Sequence, residues 1–280
     1  MDATTRKNKS LLTLLSRNDD YHKLMLQLKI TISLSLVYVH FALYVMDIVP
    51  YWTFCIGVVI YISRWMINLH DYLHLVPPKK AGWFIRYHLL ILTPLSFGYR
   101  EIRDIHHRHH AYTVTEKDPD LYHIKGNFLT SFLMVTLSPE ISTYHYIRDR
   151  GIDRELLLGM GVRFVLFMLL VSYLGMASLY YFIPVRLVYG ACMFSISFPL
   201  HRKGKEYGTY TPQYPAFFQA TMMAIFGKAV VNTLSHHDIH HEYPTIAATN
   251  LAKARRYFQP RSSTSAKPTV EEVAMPHTTT

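Results

Sequence analysis

Histidine is the residue whose type and spacing could do chemistry in this sequence, and 17 histidines occur among its 280 residues. Nine of them fall into three segments, 70–74, 106–110 and 237–241, and eight of these nine match the patterns HxxxH, HxxHH and HxxHH. Positions i, i+3 and i+4 of a helix lie within an arc of about 100°, so each segment can direct its imidazoles at one centre. The candidate ligands are His70, His74, His106, His109, His110, His237, His240 and His241. His107 and His236 lie outside the arc and are weaker candidates.

The chemistry of these segments follows from the ligand type. Neutral imidazole binds zinc, copper, iron and nickel. Eight imidazoles are too many for one ion and suit two ions with about four ligands each. Zinc would be satisfied by a closed set of four ligands, whereas a pair of iron ions can keep positions open for dioxygen or water. Imidazole ligands add no negative charge, which keeps an iron centre strongly oxidising. The ligand pattern alone does not select iron.

The composition indicates a membrane protein. Hydrophobic residues make up 50% of the chain and charged residues only 17%, compared with about 25% charged residues in soluble domains. The two cysteines, Cys55 and Cys192, both lie in apolar runs, which excludes a disulfide scaffold and a cysteine-based metal site. The net charge of +10, with histidine neutral, suits an anionic membrane face or an acidic protein partner. We expect no nucleic-acid ligand.

Four apolar runs, of which the last is short, approach the ~20 residues that cross a bilayer and predict an all-α integral membrane protein. The runs are 26–49, 51–69, 162–183 and 185–200, with Pro50 and Pro184 at the turns. They predict four transmembrane helices in two hairpins, joined to a helical cap that holds the histidine segments. The predicted domains are a cytoplasmic N-terminal segment (1–25), a membrane domain (26–258) and a disordered tail (259–280) rich in Ser, Thr, Pro and Lys.

Three shorter apolar segments are not predicted to span the membrane. Residues 82–98 are interrupted by charged residues and proline, which favours an interfacial or re-entrant segment. Residues 127–137 predict a short amphipathic helix lying on the surface, and residues 215–231 predict an interfacial segment.

The basic residues predict the orientation in the membrane. Lysine and arginine cluster on the side of the histidine segments, whereas the turns at 47–50 and 183–186 are short and nearly uncharged. The positive-inside rule then predicts a multi-pass protein with its active site and both termini in the cytoplasm. The basic N-terminal stretch lacks the short apolar core and cleavage site of a signal peptide, so we predict that none is removed.

The segments HDYLH, HHRHH and HDIHH, in this order and among hydrophobic hairpins, resemble the membrane fatty-acid desaturase superfamily. That superfamily also includes alkane hydroxylases, lipid hydroxylases and carotenoid ketolases. The resemblance covers roughly residues 30–258. It implies a non-haem oxidoreductase with two iron ions, four membrane helices and a cytoplasmic catalytic cap.

The resemblance also implies a ninth ligand. Several members of the superfamily use a further histidine between the second and third histidine segments, and His201 is the best match because it follows the fourth apolar run. Asn232 is a weaker candidate that would bind through water.

Acidic residues near the histidines could orient them, because metal-bound imidazoles usually donate their other N–H to a carboxylate or carbonyl. Asp71 and Asp238 lie inside histidine segments, and Asp118 and Asp120 follow the second one. The latter two could instead stabilise a turn. His123 is ambiguous, because Asp-Pro-Asp-Leu-Tyr-His resembles a stretch in carotenoid ketolases while a related Asp-Pro-Asp also occurs among desaturases.

Other charged and histidine side chains are assigned to the membrane surface. Arg103 and Arg108 are expected to face phospholipid phosphates or an acidic redox partner. Histidines without histidine-segment context are interpreted as ordinary interfacial residues; these are His22, His40, His88 and His145.

The predicted reaction is the O2-dependent desaturation of fatty acyl chains of lipids. The two electrons that it needs must come from an external donor, because the sequence has neither a His-Pro-Gly-Gly haem-binding segment nor a glycine-rich flavin fingerprint. Ferredoxin or another small acidic electron carrier is the predicted partner, and the net charge of +10 suits its docking.

Two alternative functions are also compatible with the histidine segments. The first is an oxygenase of the same superfamily, a carotenoid ketolase or a lipid or alkane hydroxylase, because the histidine segments do not separate oxygen insertion from desaturation. The second is a membrane metal-binding protein or transporter, which predicts ionisable ligands along a path inside the spans. The histidines instead fall at helix ends and in polar segments, which disfavours transport.

Overall fold

A computed structural model describes residues 3–87, 93 and 98–258 of the chain. These residues are mostly helical. The α-helices are α1 (Ala3–Ser16), α2 (Asp20–Val45), α3 (Tyr51–Leu75), α4 (Trp83–Tyr87), α5 (Tyr99–Tyr112), α6 (Phe128–Thr136), α7 (Ser138–Arg150), α8 (Arg154–Leu174), α9 (Leu179–His201), α10 (Ala216–Phe226), α11 (Lys228–Ser235), α12 (His237–Glu242) and α13 (Leu251–Ala254). Short 3-10 turns lie at Pro78–Lys80, Leu121–His123, Gly175–Ser178 and Ala248–Asn250, and strands β1 (Arg202–Lys203) and β2 (Glu206–Tyr207) form a two-stranded antiparallel ladder.

Helices α2 and α3 pack side by side in opposite directions. Near the loop that joins them, the rings of Tyr44 and Tyr51 are 5.0 Å apart. At the other end of the pair, the Tyr72 hydroxyl donates a hydrogen bond to Gln27 Oε1 at 3.1 Å. Asp19 caps the start of α2, and Pro50 stands immediately before α3, where its missing N–H costs nothing. This pair forms the main apolar core, and the first histidine segment lies at the C-terminal end of α3.

The turn between α8 and α9 lies at Gly175–Ser178, so the predicted break at Pro184 is wrong. Gly175 has a φ of 55°, which glycine adopts without strain. Pro184 lies inside α9 and has no N–H to bond the Tyr180 carbonyl one turn earlier. That carbonyl instead accepts a hydrogen bond from the Tyr51 hydroxyl at 3.0 Å, which satisfies it from another helix.

Length and composition delimit three candidate membrane-spanning helical runs, Ser10–Val45, Tyr51–Leu75 and Arg154–His201. The third run contains both α8 and α9, because the 3-10 turn between them does not interrupt its helicity. The chain nevertheless reverses there, since the rings of Phe167 and Phe182 are only 4.9 Å apart. The four predicted spans therefore correspond to three candidate spanning runs.

Some expectations fall on parts of the chain that lie outside the described residues. Of segment 82–98, only residues 82–87, 93 and 98 are described, and His88 is outside. The predicted disordered tail, 259–280, lies outside as well. The segment 215–231 contains two helices, α10 and the beginning of α11, of which α10 is short and apolar.

A second apolar cluster supports the third histidine segment. Ile239 of α12 is fully buried and belongs to the same cluster as Leu15, Leu200 and Leu251. The N-terminal helix is fixed to this region by hydrogen bonds from the Ala247 N–H and the Asn250 side chain to the Leu15 carbonyl. These contacts bring α12 to the ends of α3 and α9.

Candidate metal centre

Three elements contribute to a five-histidine cluster, which consists of His70 and His74 from α3, His106 and His110 from α5, and His240 from α12. One ring nitrogen of each residue lies within 4.8 Å of all the others. The spacing in the sequence explains this convergence, because residues four apart on a helix share a face.

A four-histidine cluster adjoins the first and consists of His109, His201, His237 and His241. Ring nitrogens of His109, His201 and His241 lie within 4.8 Å of one another. His237 joins them, since its Nε2 is 3.1 Å from His201 Nε2 and 3.0 Å from His241 Nε2. The rings of His110 and His241 are 4.2 Å apart, which places the two clusters side by side. The structure thus brings together all eight predicted histidines and His201.

The nitrogen spacing fits shared metal ions. Two imidazole nitrogens bound at about 2.0–2.1 Å to one ion are separated by about 2.9 Å at a right angle and about 3.3 Å at a tetrahedral angle. The observed separations are 2.8 Å for the Nε2 atoms of His74 and His106 and 3.2 Å for those of His110 and His240. Two neutral imidazoles can share only one proton between such nitrogens, so a convergence of this size suits cations. The donor set of two neighbouring clusters suits two ions.

Burial keeps most of these imidazoles neutral. It lowers the pKa of His106, His240 and His241 well below the usual value for histidine, because the apolar surroundings penalise the charged form. A neutral imidazole has a lone pair to offer a metal. His109 differs: burial lowers its pKa, but the Asp118 carboxylate outweighs that effect and the net pKa is raised.

Partners of the outer ring nitrogens orient three members of the four-histidine cluster, whereas His237 Nδ1 has no partner among the described residues. His109 Nδ1 lies 3.0 Å from Asp118 Oδ1, and His201 Nδ1 donates to the Gly208 carbonyl at 3.1 Å. His241 Nδ1 lies 3.1 Å from the Thr113 hydroxyl. A proton on Nδ1 directs the Nε2 lone pair toward the cluster, which is the tautomer that a metal requires. Sequence reasoning missed Thr113 and Gly208, since neither a hydroxyl nor a backbone carbonyl has a distinctive spacing.

The four candidate acids have different environments. Asp118 receives backbone N–H bonds from Val114 and Asp120 and holds His109. Asp120 is close to the same imidazole, and burial raises the pKa of Asp120 to about 7. Asp71 accepts the Ala248 N–H at 3.0 Å. Asp238 forms an ion pair with Arg255. Among the described hydrogen bonds, Asp118 is therefore the acid that contacts a predicted ligand.

The remaining candidates lie outside both clusters. His107 Nε2 is 3.1 Å from the Leu73 carbonyl, and His236 accepts a hydrogen bond from Arg255. The Asn232 side chain donates to the Ala248 carbonyl rather than pointing at a histidine. Arg108 forms ion pairs with Asp104 and Asp149. The clusters likewise omit three of the histidines assigned to the surface, His22, His40 and His145.

A cavity of about 1260 Å³, counting its open mouth, reaches both clusters. Its inner wall includes His70, His106 and His109. Away from the histidines, apolar side chains of α3 and α9 line it; they are Trp65, Met66, Leu69, Met193 and Ile196. His123 is also in the wall and is buried, with no hydrogen-bond partner for Nε2 among the described residues.

Mostly helical structure, long apolar helices and two adjoining clusters of buried or half-buried imidazoles are the features of a membrane protein with a candidate metal centre. The sequence model of one protein family, described as fatty acid desaturase, matches residues 46–271. The chain belongs to the fatty acid desaturase family, which confirms the resemblance inferred from its histidine segments. The family is typically di-iron and implies a membrane oxidoreductase, and the two histidine clusters of this chain could hold the metal. No curated protein matches the chain, and no solved structure does either.

Proposed function

We propose that this protein is an O2-dependent acyl-lipid desaturase that removes two hydrogens from adjacent methylenes. The single observation that carries this proposal is the cavity, because it joins an apolar wall to both histidine clusters. An acyl chain lying along Met66, Leu69 and Met193 would present its methylenes to the site that the imidazoles surround.

The proposed ligands divide between two iron ions. His70, His74, His106, His110 and His240 would hold one ion, and His109, His201, His237 and His241 the other. When bound, the iron pair supplies the oxidising chemistry that cleaves two unactivated C–H bonds. The balanced reaction converts one –CH2–CH2– unit, O2, two electrons and two protons into one –CH=CH– unit and two waters.

The chain's own residues position the histidine rings and exclude water from the cavity. Asp118 holds the His109 ring by its Nδ1, and the Gly208 carbonyl holds the His201 ring in the same way. The apolar wall excludes water from the reacting methylenes, which prevents side reactions of strong oxidants. Asp120, with a pKa of about 7, lies beside His109 and could hold a proton near the site.

We propose four spans in two hairpins, with the histidine clusters and both termini in the cytoplasm. The contacts of Tyr180 support this arrangement: its ring lies 6.1 Å from that of Tyr44 and 5.3 Å from that of Tyr51. Both reversing turns therefore lie at one end of the helices, and the histidines lie at the other. Both termini then fall on the histidine side, where the basic residues are also concentrated.

We propose ferredoxin or another small acidic carrier as the electron donor. The net charge of +10 supports this proposal, because opposite charges accelerate the encounter of redox partners. Purified reduced carriers of opposite net charge, tested at low and high salt, would decide between an acidic and a basic donor.

Oxygen insertion into a lipid or carotenoid is the second candidate. The buried His123, whose Nε2 faces no partner among the described residues, favours it, because a polar substrate group would satisfy that nitrogen. A plain acyl chain would leave it unsatisfied or bonded to water.

The test is a lipid and pigment profile of a carotenoid-making host. Three cultures are compared, expressing the unsubstituted chain, the His109→Ala variant or the His107→Ala variant. New unsaturated acyl chains with the unsubstituted chain and with His107→Ala, but not with His109→Ala, would support desaturation. Unchanged acyl chains together with a new oxygenated lipid or carotenoid would contradict desaturation and support oxygen insertion. His107→Ala is the matched control, because His107 is two residues away on the same helix and outside both clusters.

A further inference from the structure

The segment α6–α7 does not simply lie on the surface of the helical bundle; it packs lengthwise against α9. The ring of Phe128 is 4.7 Å from that of Phe194 near the start of α6. At the end of α6, Thr136 lies so close to Gly190 that a Cβ on this glycine would overlap the threonine hydroxyl. α6 therefore runs along α9 in the opposite direction.

The tip of this segment reaches along α9 away from the end that carries His201. It continues past Gly190 to Glu140, which forms an ion pair with Arg186 of α9. Arg186 is fifteen residues before His201, so at 1.5 Å per residue it lies about 22 Å along the helix from the four-histidine cluster. The hydrocarbon core of a bilayer is only about 30 Å thick.

Both ends of the segment return to the level of the histidines. Before α6, the Ile124 carbonyl accepts a hydrogen bond from Arg202, the residue that follows His201. At the end of α7, Arg150 bonds to Asp104 of α5, the helix that carries the second histidine segment. The segment thus descends along α9 and comes back on the same side.

The outer face of α6 is apolar and uncovered. Three large side chains with exposures of 46–64% share it; they are Leu129, Leu133 and Leu137. Leu129, Leu133 and Leu137 are spaced by four residues and lie on one side of the helix. No charged residue occurs within α6. The exposed Ile183 and Leu187 of α9 extend this apolar surface along a candidate spanning run.

We propose that α6–α7 is a re-entrant hairpin whose outer face contacts the hydrocarbon interior of the bilayer. The continuity with α9 and the depth of the tip identify lipid as the occupant of this face. The charges at the tip are paired, as ionisable groups at membrane depth usually are. On its inner side, Ser138, Pro139 and Ser142 line the cavity, so the hairpin separates the cavity from lipid.

Nitroxide accessibility in reconstituted vesicles tests this proposal. The full chain, with Cys55→Ala and Cys192→Ala, would carry a nitroxide on a cysteine introduced at Leu133 and be placed in phosphatidylcholine vesicles with a minority of phosphatidylglycerol. Oxygen partitions into hydrocarbon, whereas a water-soluble nickel chelate does not. Leu187→Cys on α9 and Lys125→Cys before α6 provide the spanning and aqueous controls; both positions are exposed.

The expected ratio of oxygen to nickel accessibility at Leu133 matches that at Leu187 and exceeds that at Lys125 by at least about tenfold, since a polar chelate enters hydrocarbon at a cost above about 1.4 kcal/mol. A ratio at Leu133 equal to that at Lys125 would place α6 in water and overturn the proposal. Immobilisation with dipolar broadening would overturn it in favour of contact between two copies of the chain. These readouts do not depend on activity, so they stand apart from the proposed reaction.

Discussion

His109 Nδ1 lies 3.0 Å and 3.1 Å from the two carboxylate oxygens of Asp118, nine residues later in the chain. The carboxylate is itself held by two backbone N–H groups, from Val114 and Asp120. One imidazole of the four-histidine cluster is therefore fixed by a loop that folds back from the same helix.

Asp118→Asn should weaken metal binding by about 10–100-fold, because partners that orient a ligand typically contribute that much affinity. The measurement is a competition of the purified protein against a chelator of known affinity. Asp104→Asn on α5 is the matched control, since Asp104 contacts arginines and not histidines. Equal affinities for the two variants would contradict the positioning role of Asp118.

His201→Ala should lower the metal content from about two ions per chain toward about one, because it leaves the four-histidine cluster with three imidazoles. Elemental analysis of the purified protein measures this directly. His236→Ala should keep the full content, since His236 contacts Arg255 outside the clusters. A full metal complement in His201→Ala would remove His201 from the ligand set.

Metal removal should lower the unfolding temperature. A ligand present at about 100 times its Kd stabilises the folded state by about 2.7 kcal/mol per site, and removing it also leaves the nine imidazoles without a common partner. Thermal unfolding in detergent, with and without chelator, followed by reloading with ferrous iron, measures the change. The temperature should recover on reloading, and an unchanged value after complete removal would argue against shared ions.

Met193→Trp should reduce turnover while leaving the metal content intact, because the larger side chain fills the apolar cavity. The rate of product formation per bound metal is the relevant quantity. Ile183→Trp on the same helix is the control, as Ile183 points outward and is exposed. Wild-type turnover in Met193→Trp would mean that the substrate lies elsewhere.

Gly190→Ala should destabilise the packing of α6 on α9 by about 1–3 kcal/mol, because the added Cβ would overlap Thr136. An unfolding temperature lowered by about 2–4 °C per kcal/mol would report it. Gly161→Ala in α8 meets no atom within 4 Å and should be neutral or slightly stabilising. Equal effects of the two substitutions would show that the α6–α9 contact does not depend on this close approach.

The convergence of the histidines could be predicted from the sequence because the candidate ligands follow local spacings. Residues three and four apart within a histidine segment share a helix face wherever the helix is placed. His201 follows an apolar run that ends at the level of the histidine segments. Asp118 could be suggested from its neighbourhood but not separated from Asp71 and Asp238. Their partners, Ala248 and Arg255, are distant in the sequence.

The error in the predicted fold also comes from a contact between residues that are distant in the sequence. Proline usually ends a helix, which predicted a turn at Pro184. The actual structure keeps the helix because a hydroxyl from α3 satisfies the Tyr180 carbonyl, and no local pattern encodes that contact. The apolar residues of α6 predict a surface helix, and its packing along α9, with the close approach at Gly190, is a contact that no local pattern encodes.

One six-residue helix, α12, supplies imidazoles to both clusters, with His240 in one and His237 and His241 in the other. His240 follows its partner His110 by 130 residues. At 5–20 residues per second, a ribosome needs on the order of ten seconds to make that interval. Throughout that time the nascent chain has neither cluster complete. A metal held by complete clusters would therefore be acquired only after α12 has emerged, and a chain released before residue 237 would enter the membrane without a metal centre.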